Sequence, residues 1–180
     1  MTKIRIFRLA FALVIGWNFA LPVSAAVQLP AIFSDNMVLQ RDQPIAVWGW
    51  AEPAEKVTVT LGKQTVTTVT SGSGVWRLKL NEMPASSRPT TMTVKGTNSL
   101  KVSGILVGEV WVCSGQSNMA MTVARSKNAE AEISAGKFPG IRMLSVSRAT
   151  SVAPAADCNA KWAVCTPETV GSFSAAGYFF

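Results

Sequence analysis

A group of polar residues with catalytic potential follows an apolar run in the stretch GEVWVCSGQSNM, residues 108–119. In an open α/β sheet, ligands bind beyond the carboxyl ends of the strands, and a sharp turn at such an end would carry Ser117 out of the sheet. A serine hydroxyl can attack a carbonyl carbon, and the backbone N–H of the same serine can stabilise the oxyanion. The turn departs from a G-x-S-x-G elbow, because Met119 replaces the second glycine. The residues alone therefore also fit a helix cap without chemistry.

This candidate nucleophile has no identifiable base in the sequence. A serine hydroxyl is a weak nucleophile unless a general base accepts its proton, and the sequence contains no histidine. The acids nearest to the last predicted strand and helix are Asp157 and Glu168, and the nearest amine is Lys161. None of the three stands in a motif that would make it a base. We therefore expect the base to lie in sequence outside these 180 residues.

Residues 26–103 have the pattern of an antiparallel β-sandwich domain. Short segments rich in Val, Thr and Trp alternate apolar with polar residues, as strands with one buried face do. Turn-forming residues separate the segments, and no helical period intervenes. The predicted strands are 45–50, 56–61, 64–70, 74–80 and 90–96.

Three tryptophans in this domain allow two interpretations. Trp48, Trp50 and Trp76 would stack against sugars if they formed an exposed platform. They would instead fill the core if the small domain needed large side chains to bury enough apolar area. We favour the core.

Residues 104–180 follow a different pattern, which predicts the start of a doubly wound α/β sheet. The nearly continuous apolar run 105–112 predicts a parallel strand covered on both faces. Helix-forming residues follow, then a second strand and the beginning of a last helix. These predicted elements are 117–136, 141–147 and 168–180. Within the helical part, Asn128 would cap a short second helix that Gly136 ends.

The predicted α/β domain is incomplete. Two parallel strands cannot form a stable sheet alone, and the last residues are large and apolar. We therefore expect the chain to be the N-terminal part of a longer protein. The predicted fold class is α/β plus all-β, an N-terminal antiparallel β-sandwich followed by the truncated start of an α/β domain.

Residues 1–25 have the composition of a secretory signal peptide. Lys3, Arg5 and Arg8 precede the apolar run 9–21, and residues 22–25 supply a small-x-small cleavage site. The apolar run is short for a membrane span. We predict export to the periplasm or the extracellular space, with no stable membrane anchor after cleavage. Removal of the three cations lowers the net charge of +7 to 7 − 3 = +4.

The remaining composition argues against several classes of partner. The other lysines and arginines are scattered among acids, so a nucleic-acid partner has little support. A metal cofactor is not expected, because the sequence has no histidine, no CxxC motif and no acidic cluster. Cys158 and Cys165 are close enough in sequence to pair in an exported protein. The alternative is free thiols, and we expect Cys113 to be a buried one at the end of an apolar strand.

Three separated stretches carry a family resemblance. GEVWVCSGQSNM strongly resembles the first block of the sialate O-acetylesterase family, carbohydrate esterases of the SGNH-hydrolase superfamily. Residues 29–57 resemble the segment that opens the mature part of these proteins, and residues 161–180 resemble their segment around an FSA..YFF helix. The resemblance implies an SGNH-type α/β domain over residues 104–180 and an esterase that removes O-acetyl groups from sugars, sialic acid being the namesake substrate.

The resemblance also implies roles for individual residues. Ser117 matches the nucleophile of the family's Gly-Gln-Ser-Asn-Met block and would form an acetyl-enzyme, with its backbone N–H as an oxyanion donor. Gln116 and Asn118 match the flanking amides, which would brace the turn or contact substrate. Gly171 is a candidate second oxyanion donor, or simply a glycine at a helix start. The family's base is a late histidine, usually with an aspartate shortly before it, and this chain contains no such block.

Two alternative functions remain open from the sequence. The chain would be a secreted β-sandwich carbohydrate-binding module with a vestigial esterase start if the missing histidine reflected lost activity. It would be an acetylxylan-type esterase of the same superfamily if only the sugar pocket differed.

Overall fold

The computed structural model describes residues 26–180 and shows mostly β-structure with few helices. The predicted signal peptide, residues 1–25, lies outside the described residues. The nine strands are β1 (Val38–Gln40), β2 (Ile45–Trp50), β3 (Lys56–Leu61), β4 (Gln64–Val69), β5 (Val75–Leu80), β6 (Ser86–Lys95), β7 (Ser99–Gly108), β8 (Phe138–Val146) and β9 (Ala160–Cys165). The α-helices are α1 (Ala129–Ala135), α2 (Pro167–Val170) and α3 (Ala175–Phe179).

Seven strands form two sheets in the first part of the chain. One sheet has five strands in the order β1-β7-β6-β3-β4, and the other pairs β2 with β5. All of these pairings are antiparallel except β1 with β7, which is parallel. The five strands predicted between residues 45 and 96 are therefore confirmed, and β6 begins earlier than predicted.

Alternation along these strands builds a shared core. In β3, Val57, Val59 and Leu61 are fully buried while the threonines between them face outward. Thr58 and Thr60 lie opposite threonines of β4 and share hydroxyl hydrogen bonds with them. One side of the sheet thus excludes water and the other remains wet, as the period of two predicts.

Trp76 occupies the centre of this core. Its side chain is 1% exposed, and its indole N–H donates a 3.2 Å hydrogen bond to the carbonyl of Trp50. Trp48 is partly buried against the same core and makes an edge contact with Phe33, at 4.7 Å between ring centroids. The predicted core role is confirmed for Trp76, whose buried ring cannot stack on a sugar.

The strand predicted over residues 105–112 belongs to a different sheet from the one predicted. Residues 105–107 are buried, and residues 106–108 pair in parallel with β1, but all of them belong to β7, which also pairs antiparallel with β6. The strand ends at Gly108, and Trp111 and Val112 are 66% and 90% exposed. A buried apolar run does not reveal which strands lie beside it, and here they are β6, the preceding strand in sequence, and the distant β1.

The second part of the chain differs from the predicted strand–helix order. Residues 117–136 form two 3-10 helices, Ser117–Ala120 and Val123–Arg125, followed by α1. Asn128 and Gly136 flank α1 as predicted, although the Asn128 side chain makes no capping hydrogen bond. β8 confirms the predicted second strand, but it pairs antiparallel with β9, a strand that was not predicted. Within residues 26–180, therefore, no parallel pair follows β7, and the start of a doubly wound sheet is not confirmed.

A second, smaller core holds these elements together. Val123, Met143, Cys165, Val170 and Ala175 are buried in it, so that the second 3-10 helix, the β8–β9 pair, α2 and α3 share one apolar centre. The β8–β9 pair is tied to the first part of the chain by a 2.8 Å hydrogen bond from the Trp162 indole N–H to the carbonyl of Ile32.

Gly49 permits the closest approach in the first core. A Cβ at this position would collide with the carbonyl oxygen of Gln28 and would lie 2.8 Å from the Trp76 ring. We expect Gly49→Ala to lower the free energy of unfolding by about 1–3 kcal/mol, as overpacking does. Chemical denaturation measures this change. Gly72→Ala is the matched control, because a Cβ there meets nothing within 4 Å. Equal stability of the two variants would contradict the packing described.

Glu55 makes the stability depend on acid pH. Its carboxylate accepts hydrogen bonds from the N–H groups of Thr97 (2.5 Å) and Glu52 (3.1 Å), and chiefly the Thr97 bond lowers its pKa below the ordinary 4.5. A lowered pKa in the folded state means that protonation favours unfolding, so this contribution is lost as the pH falls below 4.5 towards the folded value. We expect Glu55→Gln to flatten that part of the curve of melting temperature against pH. A curve identical in shape to that of the parent chain would contradict this role.

Candidate active site

The segment after β7 leaves the sheet and carries the candidate nucleophile to the surface. Residues 109–116 have no regular secondary structure and are exposed, and Ser117 begins the first 3-10 helix. We call residues 113–120 the serine turn. Ser117 is exposed in this turn, as a nucleophile that meets a substrate from solvent must be.

Backbone pairing fixes the serine turn from its carboxyl side. The N–H of Ala175 donates to the carbonyl of Met121 at 2.8 Å, and the N–H groups of Val123 and Ala124 donate to the carbonyls of Phe173 and Gly171 at 3.0 Å each. Residues 121–124 and 171–175 are thus held side by side, and the start of α3 is fixed against the end of the serine turn.

Ser117 has free donor and acceptor groups. Within residues 26–180, neither its hydroxyl nor its backbone N–H has a hydrogen-bond partner. The first N–H groups of a helix lack intrahelical acceptors, so the N–H of Ser117 is available to an incoming oxyanion.

The two flanking amides do not brace the turn through their side chains. Gln116 and Asn118 are exposed, and among the described residues their side chains make no hydrogen bonds. The contacts that close the turn are backbone ones, from the N–H of Met119 to the carbonyl of Gln116 at 2.9 Å and from Met121 to Asn118 at 3.3 Å. Both amides are therefore free to meet a ligand.

Gly171 lies behind the turn, at the end of α2. Its carbonyl accepts from Ala124, and a Cβ at this position would lie 3.1 Å from the Ile133 side chain of α1. The close approach of α1 explains a small residue at this point without reference to chemistry. Its assignment as an oxyanion donor stays a prediction.

The polar residues considered as substitute bases do not interact with Ser117 in the described part of the chain. The Asp157 carboxylate accepts hydrogen bonds from the N–H groups of Ala31 and Cys158, at 2.8 and 2.7 Å. Glu168 lies in the first turn of α2, where chiefly a hydrogen bond from the Thr166 side chain lowers its pKa. Lys161 is exposed on β9, opposite Ser145. No hydrogen bond or ion pair links any of them to Ser117 within residues 26–180.

A cleft of about 1680 Å³ opens beside the serine turn. Its walls come from β1 and β2, from the loop after β7, from β8 and from residues 172–180. Gly115, Gln116 and Met119 of the serine turn line it, on either side of Ser117. Trp111 and Phe180 form an edge contact at its rim, with ring centroids 5.0 Å apart. The cleft exceeds the roughly 300–1,000 Å³ of ordinary ligand pockets, so it has room for a sugar.

The cysteines are all free, and one was placed wrongly from the sequence. Cys158 and Cys165 are not bonded to each other, and Cys165 is buried in the second core. Cys113 is exposed at the cleft, although the sequence predicts that it is buried. The prediction failed because β7 ends at Gly108, five residues before Cys113.

Residues 26–180 contain neither a metal-binding cluster nor a helix that could span a membrane. No group of three or more histidine, cysteine or acidic side chains is arranged to hold a metal ion. No helix in this range has the length and apolar character needed to cross a membrane.

Comparison with known proteins identifies relatives of this arrangement. Sialate O-acetylesterase of Homo sapiens is 37% identical over 180 aligned residues, which cover 92% of this chain and 32% of the relative. The protein of the same name from Mus musculus is 41% identical over 130 residues, 65% of this chain and 24% of the relative. A crystal structure of a carbohydrate acetylesterase from Xanthomonas citri superposes with a TM-score of 0.83 at 33% identity, covering 86% of this chain and 36% of that one. No family model matches the chain.

These similarities place the chain among the carbohydrate acetylesterases. Within that class, it belongs to the sialate O-acetylesterase family. The chain spans about a third of the length of the relatives it matches.

The cysteine environments give a direct test of the site's geometry. Cys113 is exposed, whereas Cys165 is buried and its pKa is raised by that burial. The thiolate attacks the labelling reagent, so the burial of Cys165 and its raised pKa both slow the reaction. We expect rapid labelling of Cys113 and slow labelling of Cys165 in the native chain, followed by peptide mass spectrometry. Cys113→Ser should remove the rapid phase. Labelling of Cys165 as fast as that of Cys113 would contradict the described burial.

Proposed function

We propose that this chain is the N-terminal part of an exported serine esterase that removes O-acetyl groups from sialic acid or related sugars. The observation that carries the proposal is the exposed Ser117, with its hydroxyl and N–H unengaged within the described residues, beside a cleft large enough for a sugar. The family membership and the names of the relatives support acetyl groups on a carbohydrate as the chemistry.

The reaction would proceed through an acetyl-enzyme. The Ser117 hydroxyl oxygen attacks the acetyl carbonyl carbon while its proton passes to a base. The backbone N–H of Ser117 stabilises the negative oxygen of the tetrahedral intermediate, and Gly171 is the second proposed donor. Collapse expels the sugar alcohol, which takes up a proton. Water then cleaves the acetyl-enzyme and releases acetate.

We propose that the base comes from polypeptide outside these 180 residues. No histidine is present in the 180 residues, and the chain matches only about a third of its relatives' length. Within the described residues, Asp157, Glu168 and Lys161 have no contact with Ser117 that would let one of them serve as the base in place of a histidine. We propose that the same polypeptide completes an SGNH-type α/β domain over residues 104–180, next to a β-sandwich over residues 26–103.

The binding-module alternative has less support than the esterase. A sugar platform would need exposed tryptophans in the first part of the chain, yet Trp76 is 1% exposed and Trp48 is partly buried. An acetylxylan-type esterase would use the same serine, and only the sugar pocket would distinguish it.

The chain alone should show no esterase activity that depends on Ser117. Without a base, the serine hydroxyl stays a weak nucleophile. We expect p-nitrophenyl acetate and O-acetylated sialic acid to be hydrolysed at the same rate with the parent chain and with Ser117→Ala. A rate that disappears in Ser117→Ala would show that a base lies within the 180 residues.

A chimera tests the esterase proposal itself. This chain would replace the matching third of the Xanthomonas citri carbohydrate acetylesterase, whose remaining sequence would complete the domain. We expect the chimera to release acetate from O-acetylated sugars and Ser117→Ala to reduce that rate by at least about a hundredfold, the size of effect seen when catalytic groups are removed. Ser114→Ala, which removes the other serine of the turn, is the matched control. An active chimera whose rate survives Ser117→Ala would refute the proposal.

A further inference from the structure

Arg142 is a cation in the cleft without a counter-charge. It lies on β8 and lines the same cleft as Gly115 and Gln116 of the serine turn. Its Nε atom is buried and has no hydrogen-bond partner within residues 26–180. In the same range, no carboxylate lies within salt-bridge distance of its guanidinium.

The other charges of the cleft leave this cation uncompensated. The charged residues that line it within the described chain are Glu109, Arg142 and Arg148. Glu109 is occupied elsewhere, because its carboxylate accepts a 3.1 Å hydrogen bond from the Gln40 amide and lies 3.6 Å from the Arg41 Nε. The cleft therefore has a positive balance at the β8 side.

A buried guanidinium nitrogen without a hydrogen-bond partner is costly, and a carboxylate ligand would relieve that cost. Desolvation of Arg142 disfavours its charged form and lowers its pKa, yet an arginine remains protonated in proteins. Its planar fork matches a carboxylate with two parallel hydrogen bonds, which gives both strength and orientation.

We infer that Arg142 binds the carboxylate of an acidic sugar whose O-acetyl group lies at Ser117. The inference rests on the proposed function and deepens it, because it names the group by which this cleft would select a sugar acid over a neutral O-acetylated sugar. Arg142 is a specificity-determining residue in this account, and it takes no part in the acyl transfer.

Sugar binding to the full chain tests the inference without requiring turnover. The two probes are N-acetylneuraminic acid, which carries a carboxylate, and N-acetylmannosamine, which carries none. Indole N–H signals in NMR spectra follow the titration, since Trp48, Trp111 and Trp162 line the cleft. We expect the acid to bind at least about tenfold more tightly than the neutral sugar, the size of effect given by hydrogen bonds to charged groups.

Variants assign that preference to Arg142. Arg142→Gln should abolish the preference for the acid, and Arg142→Lys, which keeps the charge but loses the fork, should retain part of it. Arg125→Gln is the matched control, because Arg125 is exposed outside the cleft on the second 3-10 helix. Circular dichroism checks that each variant is folded.

Three results would overturn the inference. They are equal affinity of the parent chain for the two sugars, no binding of either sugar, and an unchanged preference in folded Arg142→Gln. The titration measures binding only, so its result does not depend on the chimera. A chimera that fails to use Ser117 would refute the esterase proposal without changing the measured preference for the acidic sugar.

Discussion

Three backbone hydrogen bonds between residues 121–124 and residues 171–175 hold the serine turn against α3. They connect the segment that follows Ser117 to the second apolar core, because Val123 on one side and Ala175 on the other are buried there. The orientation of the candidate nucleophile therefore depends on packing far along the chain. A serine on an exposed loop without this support would lack the fixed geometry that oxyanion stabilisation needs.

The two cores support different parts of the cleft. The larger one buries Trp76 and the alternate residues of the strands, and it supplies one wall of the cleft through β1 and β2. The smaller one positions the serine turn and β8, which carries Arg142. The Trp162 hydrogen bond to Ile32 joins the two, so the cleft lies where both cores meet.

The sequence predicted the features that depend on neighbouring residues and missed those that depend on residues far apart in the chain. Alternation is a local signal, and it located β2 to β5 well because each strand's period of two depends on its own residues. The partner of a buried strand is a non-local property, so the apolar run 105–112 was assigned to the wrong sheet. Cys113 was placed in the core for the same reason, although it lies five residues beyond the end of β7.

The site was predictable only in part. The serine turn stood out through its residue types and its family resemblance, and the structure exposes it at a cleft. Arg142 gave no such signal, because an arginine in an alternating strand usually faces solvent. Only the packing of β8 shows that its Nε is buried and unpaired within the described residues.

The central claim is that Ser117 carries the acetyl group during turnover. The most direct measurement is peptide mass spectrometry of the chimera with the Xanthomonas citri acetylesterase, quenched in acid during hydrolysis of an O-acetylated sugar. We expect an acetyl group on Ser117 that disappears once substrate is exhausted. An active chimera with an acetyl group on Ser114, or on another residue, and none on Ser117 would contradict it.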